Sequence, residues 1–194
     1  MTFPRSRREF DSLHPLKVWY HYKWTVGKII SKYIKDIILG ANDGVVTTFA
    51  VIAGATGAGL SRGVVLIMGV ANLLADGFAV GAGNYLGSLS EEEVAEEHGR
   101  RYRKKIFTPA VLAFVSFVLA GSLPLLPFVL GTADSFTSAI VVTGAALFVV
   151  GAFLGHLVLR RHWLILGCQM LLVGGVAAII AYAIGYLVEG LLSV

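Results

Sequence analysis

The sequence predicts an all-α, polytopic membrane protein with five transmembrane helices, a cytosolic N-terminus and an amphipathic surface helix before the first span. The first observation is composition: the 194 residues are 56% hydrophobic and their mean hydropathy is +0.77, which is more apolar than is usual for a soluble domain. The second is the presence of five apolar stretches of the roughly 20 residues that a spanning helix needs. The third is the distribution of basic residues, which alternates between successive connecting segments.

The five stretches lie at about residues 37–58, 63–86, 107–130, 136–159 and 164–187. None of them alternates apolar and polar residues in segments of about ten, as the strands of a transmembrane β-barrel do. The sequence therefore predicts a cytosolic N-terminal segment at 1–35 and a five-helix transmembrane domain at 36–194. Within that domain, residues 88–105 form a short acidic and basic cytosolic link.

Lysine and arginine set the predicted orientation. Eight precede the first span, five lie between the second and third spans, and two lie between the fourth and fifth, so fifteen of the sixteen fall on one side. Arg62 is the exception. Because basic loops stay on the cytosolic side, we expect a cytosolic N-terminus and an external C-terminus. This distribution accounts for the net charge of +4 without nucleic acid as a partner.

The segment before the first span has the pattern of an amphipathic helix. Apolar residues recur at helical spacing at Ile29, Ile30, Tyr33 and Ile34, with lysine and serine between them. Tryptophan and tyrosine at residues 19–24 suit the depth of the lipid headgroups. We expect residues 17–34 to lie on the cytosolic membrane surface and to lead into the first span.

The first span carries an acid in its first half, Asp43, which follows Asn42 in the run DIILGANDGVVTTFAVIAGATG. An ionised carboxylate inside hydrocarbon costs several kcal/mol, and such a residue usually faces a bundle interior or a water-filled path. Asp36 lies seven residues earlier on the same face, at the interface, and reads as a helix-start residue. The alternative for Asp43 is a packing acid whose charge is satisfied by its neighbours.

The second span also carries an asparagine and an aspartate within its apolar run. Asn72 and Asp76 are four residues apart and share a helix face, and Gly83 lies seven beyond Asp76 on that face. Carboxylates and amide carbonyls are oxygen donors, which suit protons and hard or borderline divalent cations such as manganese, iron or magnesium. We therefore predict a polar seam whose metal ligands are Asp43, Asp76, Asn72 and Asn42.

A cluster of acids follows the second span: Glu91, Glu92, Glu93, Glu96 and Glu97. On a helix Glu93 and Glu97 are an i,i+4 pair of like charge, which needs a counter-ion, so these two are added to the candidate metal ligands. The alternative is a solvated helix end whose acids pair with the basic residues at 100–104. The sequence favours this alternative.

At these residues the chain resembles a known family. The run DIILGANDGVVTTFAVIAGATGA, followed by AVGAGNYLGSLSEEE, resembles the vacuolar iron transporter family, in which a first span of the form LG-x-x-DG-(6–8)-AG and a second ending G-x-G-x-Y-L recur. The last span, MLLVGGVAAIIAYAIGYL, is similar to the family's last helix. The resemblance implies a five-helix dimer that exchanges ferrous iron or related divalent metals for protons, with Asp43 as the carboxylate of the translocation path.

The sequence departs from the plant-type members at three positions of the second span. Asn72 stands where they carry glutamate, Val80 where they carry methionine, and Asp76 where they carry a small residue. The missing thioether removes a soft ligand that favours iron. A second departure is the link at 88–105, which is far shorter than the glutamate-rich cytosolic domain that the family commonly inserts there.

These observations predict a proton-coupled exporter of divalent metal cations, iron or manganese, from the cytosol, and no enzyme, since neither a His-Glu-x-x-His motif nor a Gly-x-Ser-x-Gly elbow is present. No cofactor is expected beyond the transported metal and the coupling protons. The expected partners are membrane lipids, divalent metal ions and a second copy in a homodimer. The expected location is a prokaryotic inner membrane, or the vacuolar membrane in a eukaryote. The alternative is a five-helix scaffold or sensor that transports nothing.

Overall fold

The computed structural model describes residues 14–97, 106–157 and 162–192, with the backbone alone at 14–32, 95, 97, 155 and 157. These residues are helical almost throughout, and no strand occurs among them. The predicted all-α class is therefore confirmed. The chain divides into two compact units between Lys35 and Asp36. Every side-chain contact described below belongs to the second unit.

The described ranges contain six α-helices and one 3-10 turn. They are α1 (His14–Gly57), α2 (Arg62–Glu97), α3 (Phe107–Gly121), the 3-10 turn (Leu123–Leu125), α4 (Leu126–Leu130), α5 (Ser135–Leu157) and α6 (Trp163–Leu192). Five segments are long and apolar enough to cross a membrane: Tyr33–Gly57, Arg62–Val94, Phe107–Leu130, Ser135–Leu154 and Trp163–Leu192. The five predicted spans are confirmed, and the chain is an integral membrane protein.

Two helices extend beyond their predicted spans. Helix α1 begins at His14, so residues 17–34 are helical, but most of their side chains lie outside the described part and their amphipathic character stays a prediction. Helix α2 has 36 residues, or about 54 Å at 1.5 Å per residue. Because the hydrocarbon core is about 30 Å thick, the acidic end of α2 lies beyond it. The basic residues at 100–105 and 160–161, which support the predicted orientation, lie outside the described residues.

The third span is interrupted at Pro124 and Pro127. Helix α3 ends at Gly121, and the turn and α4 each begin with a proline in the first positions, Pro124 and Pro127. Proline has no N–H to donate to the preceding turn, so the chain bends here and restarts. Helix α4 closes on Gly131, whose φ of 69° is the left-handed conformation that glycine tolerates best.

Helix α1 lies between α3 and α6 at backbone-to-backbone distance. A Cβ at Gly40 or Gly44 would overlap the carbonyl oxygens of Ala113 and Phe117 on α3. Further along the helix, a Cβ at Gly57 would overlap the carbonyl oxygen of Tyr182 on α6. Small residues permit such close approach in lipid, where dispersion contacts hold helices together.

The core lies where α1, α2 and the third span meet α5. Phe117 is completely buried, and the core includes Phe49, Leu73 and Leu125. The Phe136 ring stacks on the rings of Phe49 and Tyr182 at centroid distances of 6.3 and 5.9 Å, which joins α5 to α1 and α6.

Candidate functional site

Asp43 is held at its depth by the glycines on either side of its helix turn. Gly40 and Gly44 place α1 against the backbone of α3, and Asp43, next to Gly44, is left half-buried beside this contact. The Thr47 hydroxyl donates to the backbone oxygen of Asp43 at 2.9 Å. This hydroxyl is occupied by the helix itself, so Thr47 shares the face of Asp43 without adding a free polar group to it.

Asp76 lies at the same level on α2. Its neighbour Gly77 contacts the ring of Phe117, with a Cβ position 3.2 Å from Cδ1, and Gly44 contacts the backbone of that same phenylalanine. Phe117 therefore places Gly44 and Gly77, the residues that follow the two acids, at the same depth along the helix bundle. The carboxylates of Asp43 and Asp76 are close enough to repel each other electrostatically. The structure thus brings together two acids that the sequence places 33 residues apart.

The two asparagines contribute buried polar atoms that have no partner among the described residues. They are Oδ1 of Asn42 and Nδ2 of Asn72. A buried amide that lacks a hydrogen-bond partner is costly, and such groups are rare in folded proteins. A primary amide carries both a carbonyl oxygen and an NH₂, so rotation of the Asn72 side chain about χ2 exchanges donor for acceptor.

The two helices packed against the backbone of α1 supply no positive side chain to the acids. The sequences of α3 and α6 contain no lysine, arginine or histidine. A carboxylate in a low-dielectric region is unfavourable when it is ionised and unpaired.

The seam alone does not complete a metal site. Among the residues with described side chains, no group of three or more histidine, cysteine, aspartate or glutamate residues is close enough to hold a metal ion. Two carboxylates and one or two amide oxygens supply at most part of the six to eight oxygens of a hard cation such as calcium. Among the described residues the seam therefore supplies only part of such a ligand set.

One side of α2 next to the seam is open. Small residues recur every four positions along it and are exposed: Ala71, Ala75, Ala79, Gly83 and Gly87. A Cβ at Gly83 or Gly87 would meet nothing within 4 Å. Since Asp76 shares its face with Gly83, the polar residues border this small-residue stripe.

The predicted acidic ligands lie apart from the seam. Glu93 is exposed near the end of α2, and Glu97 is the last residue of that helix, with a side chain outside the described part. Seventeen residues of helix separate Asp76 from Glu93, which is about 26 Å. The six candidate ligands therefore form two groups, the seam and the end of α2, and not one site.

Sequence reasoning missed the structural roles of two residues, Phe117 and Arg62. Phe117 sets the relative height of the acids, and nothing in its own apolar span marks it out. Arg62 donates from Nε to the oxygen of Phe128 at 2.6 Å and from Nη2 to the oxygen of Val129 at 3.1 Å. The sequence did set Arg62 apart, because it is the one lysine or arginine that does not fall on the predicted cytosolic side.

Comparisons with known proteins point to one family. The model of the VIT family matches residues 34–109 and 102–186, so its two segments meet where the link leads into α3. A vacuolar iron transporter of Toxoplasma gondii is 42% identical over 71 residues, which are 37% of this chain and 24% of that protein. Vacuolar iron transporter 1 of Arabidopsis thaliana is 26% identical over 193 positions, which cover 69% of this chain and 76% of that protein.

The extent of these matches differs between relatives. The match to the Toxoplasma protein spans about a quarter of its length, whereas a vacuolar iron transporter of Plasmodium berghei, 22% identical over 226 positions, matches over 82% of its length and 81% of this chain. That alignment has more positions than this chain has residues. The Plasmodium relative therefore contains residues that have no counterpart here, in agreement with a short form.

Proposed function

The chain belongs to the VIT family, and from this premise we propose that it is a membrane transporter that exports divalent metal cations, iron or manganese, from the cytosol in exchange for protons. The observation that carries the proposal is the pairing of Asp43 and Asp76 inside the spans without a basic partner. The names of the relatives support iron as a substrate. The oxygen-rich donor set supports manganese as well.

The chemistry of exchange follows from competition for the same oxygens. A carboxylate binds a metal ion only when it is deprotonated, so metal and proton exclude each other at Asp43 and Asp76. In a low-dielectric seam without a counter-charge, the acids are stable only when protonated or metal-bound. Release of the metal on one side of the membrane is then coupled to uptake of protons on that side.

We propose that two copies complete the site. The small-residue stripe of α2 is open in one chain and borders the incomplete ligand set of Asp43 and Asp76. Stripes of this kind let helix backbones approach closely in membranes. A second copy packed on the stripe would cover it and would bring a second pair of aspartates to the same seam, in a two-fold arrangement.

The direction of export rests on the proposed orientation, in which the N-terminus and the acidic end of α2 are cytosolic. The support is the excess of basic residues on that side. Tags at the N-terminus and after Glu97 should react with cytosolic probes, and a tag at the C-terminus should react with external ones. A cytosolic C-terminal tag would contradict the predicted topology of five spans with an external C-terminus.

The function is tested with purified protein in liposomes that contain a pH-sensitive dye. A panel of Fe²⁺, Mn²⁺, Mg²⁺, Ca²⁺ and Zn²⁺ is added outside, and metal uptake and internal pH are recorded together. We expect Fe²⁺ or Mn²⁺ to enter and to drive protons the other way, with empty liposomes as the control. Binding of these metals without any uptake would favour a scaffold or sensor instead.

A further inference from the structure

We propose that α2 is the moving element of the transport cycle: it pivots about an anchor at Arg62, and its C-terminal half swings into an apolar groove on α3. This inference rests on the proposed function. Four features of the described residues carry it: the fixed position of α1, the looser packing of α2, the anchor at one end of α2 and the groove near its other end.

Helix α1 has no room to move against its neighbours. Gly40 and Gly44 lie against backbone atoms of α3, and Gly54 and Gly57 lie against backbone atoms of α6. Gly185 of α6 in turn lies against the backbone of Gly54. Backbone atoms cannot rotate out of the way as side chains do, so α1, α3 and α6 form one rigid group, to which Asp43 belongs.

Helix α2 rests on the third span mostly through side chains. At Gly69 the nearest atoms belong to the Leu125 side chain, and at Gly77 they belong to the side chains of Phe117, Val118 and Phe114. At Gly81 the nearest atoms are Cβ of Phe114, at 3.2 Å, and the backbone oxygen of Ala110, at 3.3 Å. Apart from the Ala110 oxygen, these contacts are made by side-chain atoms, which can shift by changing rotamer, so this interface permits more tilting than the α1 interfaces do.

The N-terminal end of α2 is anchored. The Arg62 guanidinium donates to the oxygens of Phe128 and Val129, two of the carbonyls that the end of α4 leaves without helical partners. A Cβ at Gly131 would lie 2.6 Å from Nη1 of Arg62, so the guanidinium occupies space that only a glycine leaves open. Two hydrogen bonds from one planar group fix both position and direction.

The other half of α2 borders empty space. A groove of about 270 Å³ lies between α2 and α3, lined on α2 by Phe78, Gly81, Ala82 and Tyr85 and on α3 by Phe107, Ala110, Val111 and Phe114. The atoms that line it are apolar. Closing it would therefore bury no unpaired polar group, and the open and closed positions of α2 differ little in polar desolvation.

Part of the groove lies opposite Asp76 on α2. At 3.6 residues per turn, Gly81 and Tyr85 lie roughly half a turn around the helix from Gly83 and Asp76. Movement of α2 toward the side of Gly81 and Tyr85 is thus movement away from the face that carries Asp76. Because Asp43 is on the rigid group, this swing separates Asp76 from Asp43 and opens the seam at the acidic end of α2.

The first test fills the groove. Val111 lines it and is 40% exposed, whereas Val115, one turn along α3 and 41% exposed, does not line it. We expect Val111→Trp to slow metal uptake into liposomes at least ten-fold while the Kd for Mn²⁺, measured by calorimetry, stays within three-fold of wild type. Val115→Trp is the matched control and should change neither. Uptake by Val111→Trp at the wild-type rate would overturn the proposal.

The second test detects movement of α2 relative to α3 without measuring transport. Ala82→Cys and Val111→Cys are combined with Cys168→Ser, because the native cysteine is exposed, and disulfide formation is timed with and without Mn²⁺. We expect Mn²⁺ to change the rate at least three-fold and the disulfide to stop uptake until it is reduced. Equal rates with and without Mn²⁺ would contradict a moving α2, even in a protein that proves to transport nothing.

Discussion

The two aspartates of the seam differ in how firmly their helices hold them. Asp43 precedes Gly44, which lies against the backbone of Phe117, whereas Asp76 precedes Gly77, which lies against side chains only. We interpret Asp43 as the fixed ligand and Asp76 as the ligand that adjusts to the ion. A sequence can place both acids on helix faces, but it cannot show that Phe117 sets their heights, since that depends on how three helices pack.

Asp76→Asn should weaken metal binding without unfolding the protein. The variant keeps the shape and one carbonyl oxygen but loses a charge, and affinity at oxygen-ligand sites follows the number of charged ligands, so we expect the Kd for Mn²⁺ to rise about ten-fold or more. Calorimetry measures it. Thr47→Val is the control, because the Thr47 hydroxyl is bonded to its own helix. An unchanged Kd in Asp76→Asn would remove Asp76 from the site.

Asp134 is a titratable residue that lies outside the membrane spans. It precedes α5 and accepts a hydrogen bond from the backbone N–H of Thr137 at 3.0 Å, as an N-cap does. Hydrogen bonds from the side chain and then the backbone of Thr137 hold the pKa of Asp134 below its ordinary value. The ionised form is therefore the one that stabilises the start of α5.

The cap predicts a pH-dependent stability difference. A carboxyl with a lowered native pKa contributes stability above its unfolded pKa of about 3.9, and that contribution is lost as the pH falls through the lower native value. We expect Asp134→Ala to unfold at a lower temperature than wild type at pH 7, with a difference that shrinks below about pH 4. Asp134→Asn caps without titrating and serves as the control. A difference that stays constant with pH would rule out the charge as its source.

Among the helices, α2 combines more roles than any other described element. It crosses the membrane, carries Asn72 and Asp76, and continues past the hydrocarbon with its glutamates. The sequence predicted a shorter span ending near residue 86, because hydropathy falls there. The helix continues without a break into the glutamate-rich run, whose residues favour helix, in agreement with the solvated helix end that the sequence favoured.

The glutamates at the end of α2 should be dispensable for transport. Glu93 is exposed and lies about 26 Å from Asp76 along the helix, so it cannot share an ion with the seam. We expect replacement of Glu91, Glu92, Glu93, Glu96 and Glu97 by Gln to leave uptake within about three-fold of wild type, because exposed charges are solvated and screened. Loss of uptake would show that this segment captures metal before it enters the seam.

The third span illustrates what a sequence reveals about an element. Pro124 and Pro127 mark its interruption in the sequence, because proline cannot continue the hydrogen bonding of a helix. The bond from Arg62 to the carbonyls beyond that interruption joins residues 66 apart and is visible only in three dimensions. It also explains the single exception in the charge distribution, since this arginine serves as a cap rather than as a signal for orientation.

At the scale of the whole molecule, the number and order of the spans followed from hydropathy, but their arrangement did not. Helix α1 lies between α3 and α6, and that placement is set by close glycine contacts whose partners the sequence does not identify. The exposed stripe on α2 remains uncovered within one chain. The proposed dimer accounts for it and for the incomplete ligand set.

The dimer predicts that a large side chain in the stripe separates the copies. Gly83→Leu should give a monomer by light scattering in detergent, with unchanged helicity, because no atom of the described residues lies within 4 Å of a Cβ at this position. Gly175→Leu, on α6, has the same open surroundings and should remain dimeric. A Gly83→Leu protein that stays dimeric, or a wild type that is monomeric and active, would exclude the stripe as the interface.

The most direct test of the central claim compares wild type and Asp43→Asn in liposomes that report metal uptake and internal pH at once. Asparagine keeps the size and hydrogen bonding of the side chain but cannot exchange a proton for a metal ion. We expect wild type to couple Mn²⁺ or Fe²⁺ entry to proton exit, and folded Asp43→Asn to do neither. Normal uptake with intact proton coupling in Asp43→Asn would contradict the assignment of the seam as the transport path.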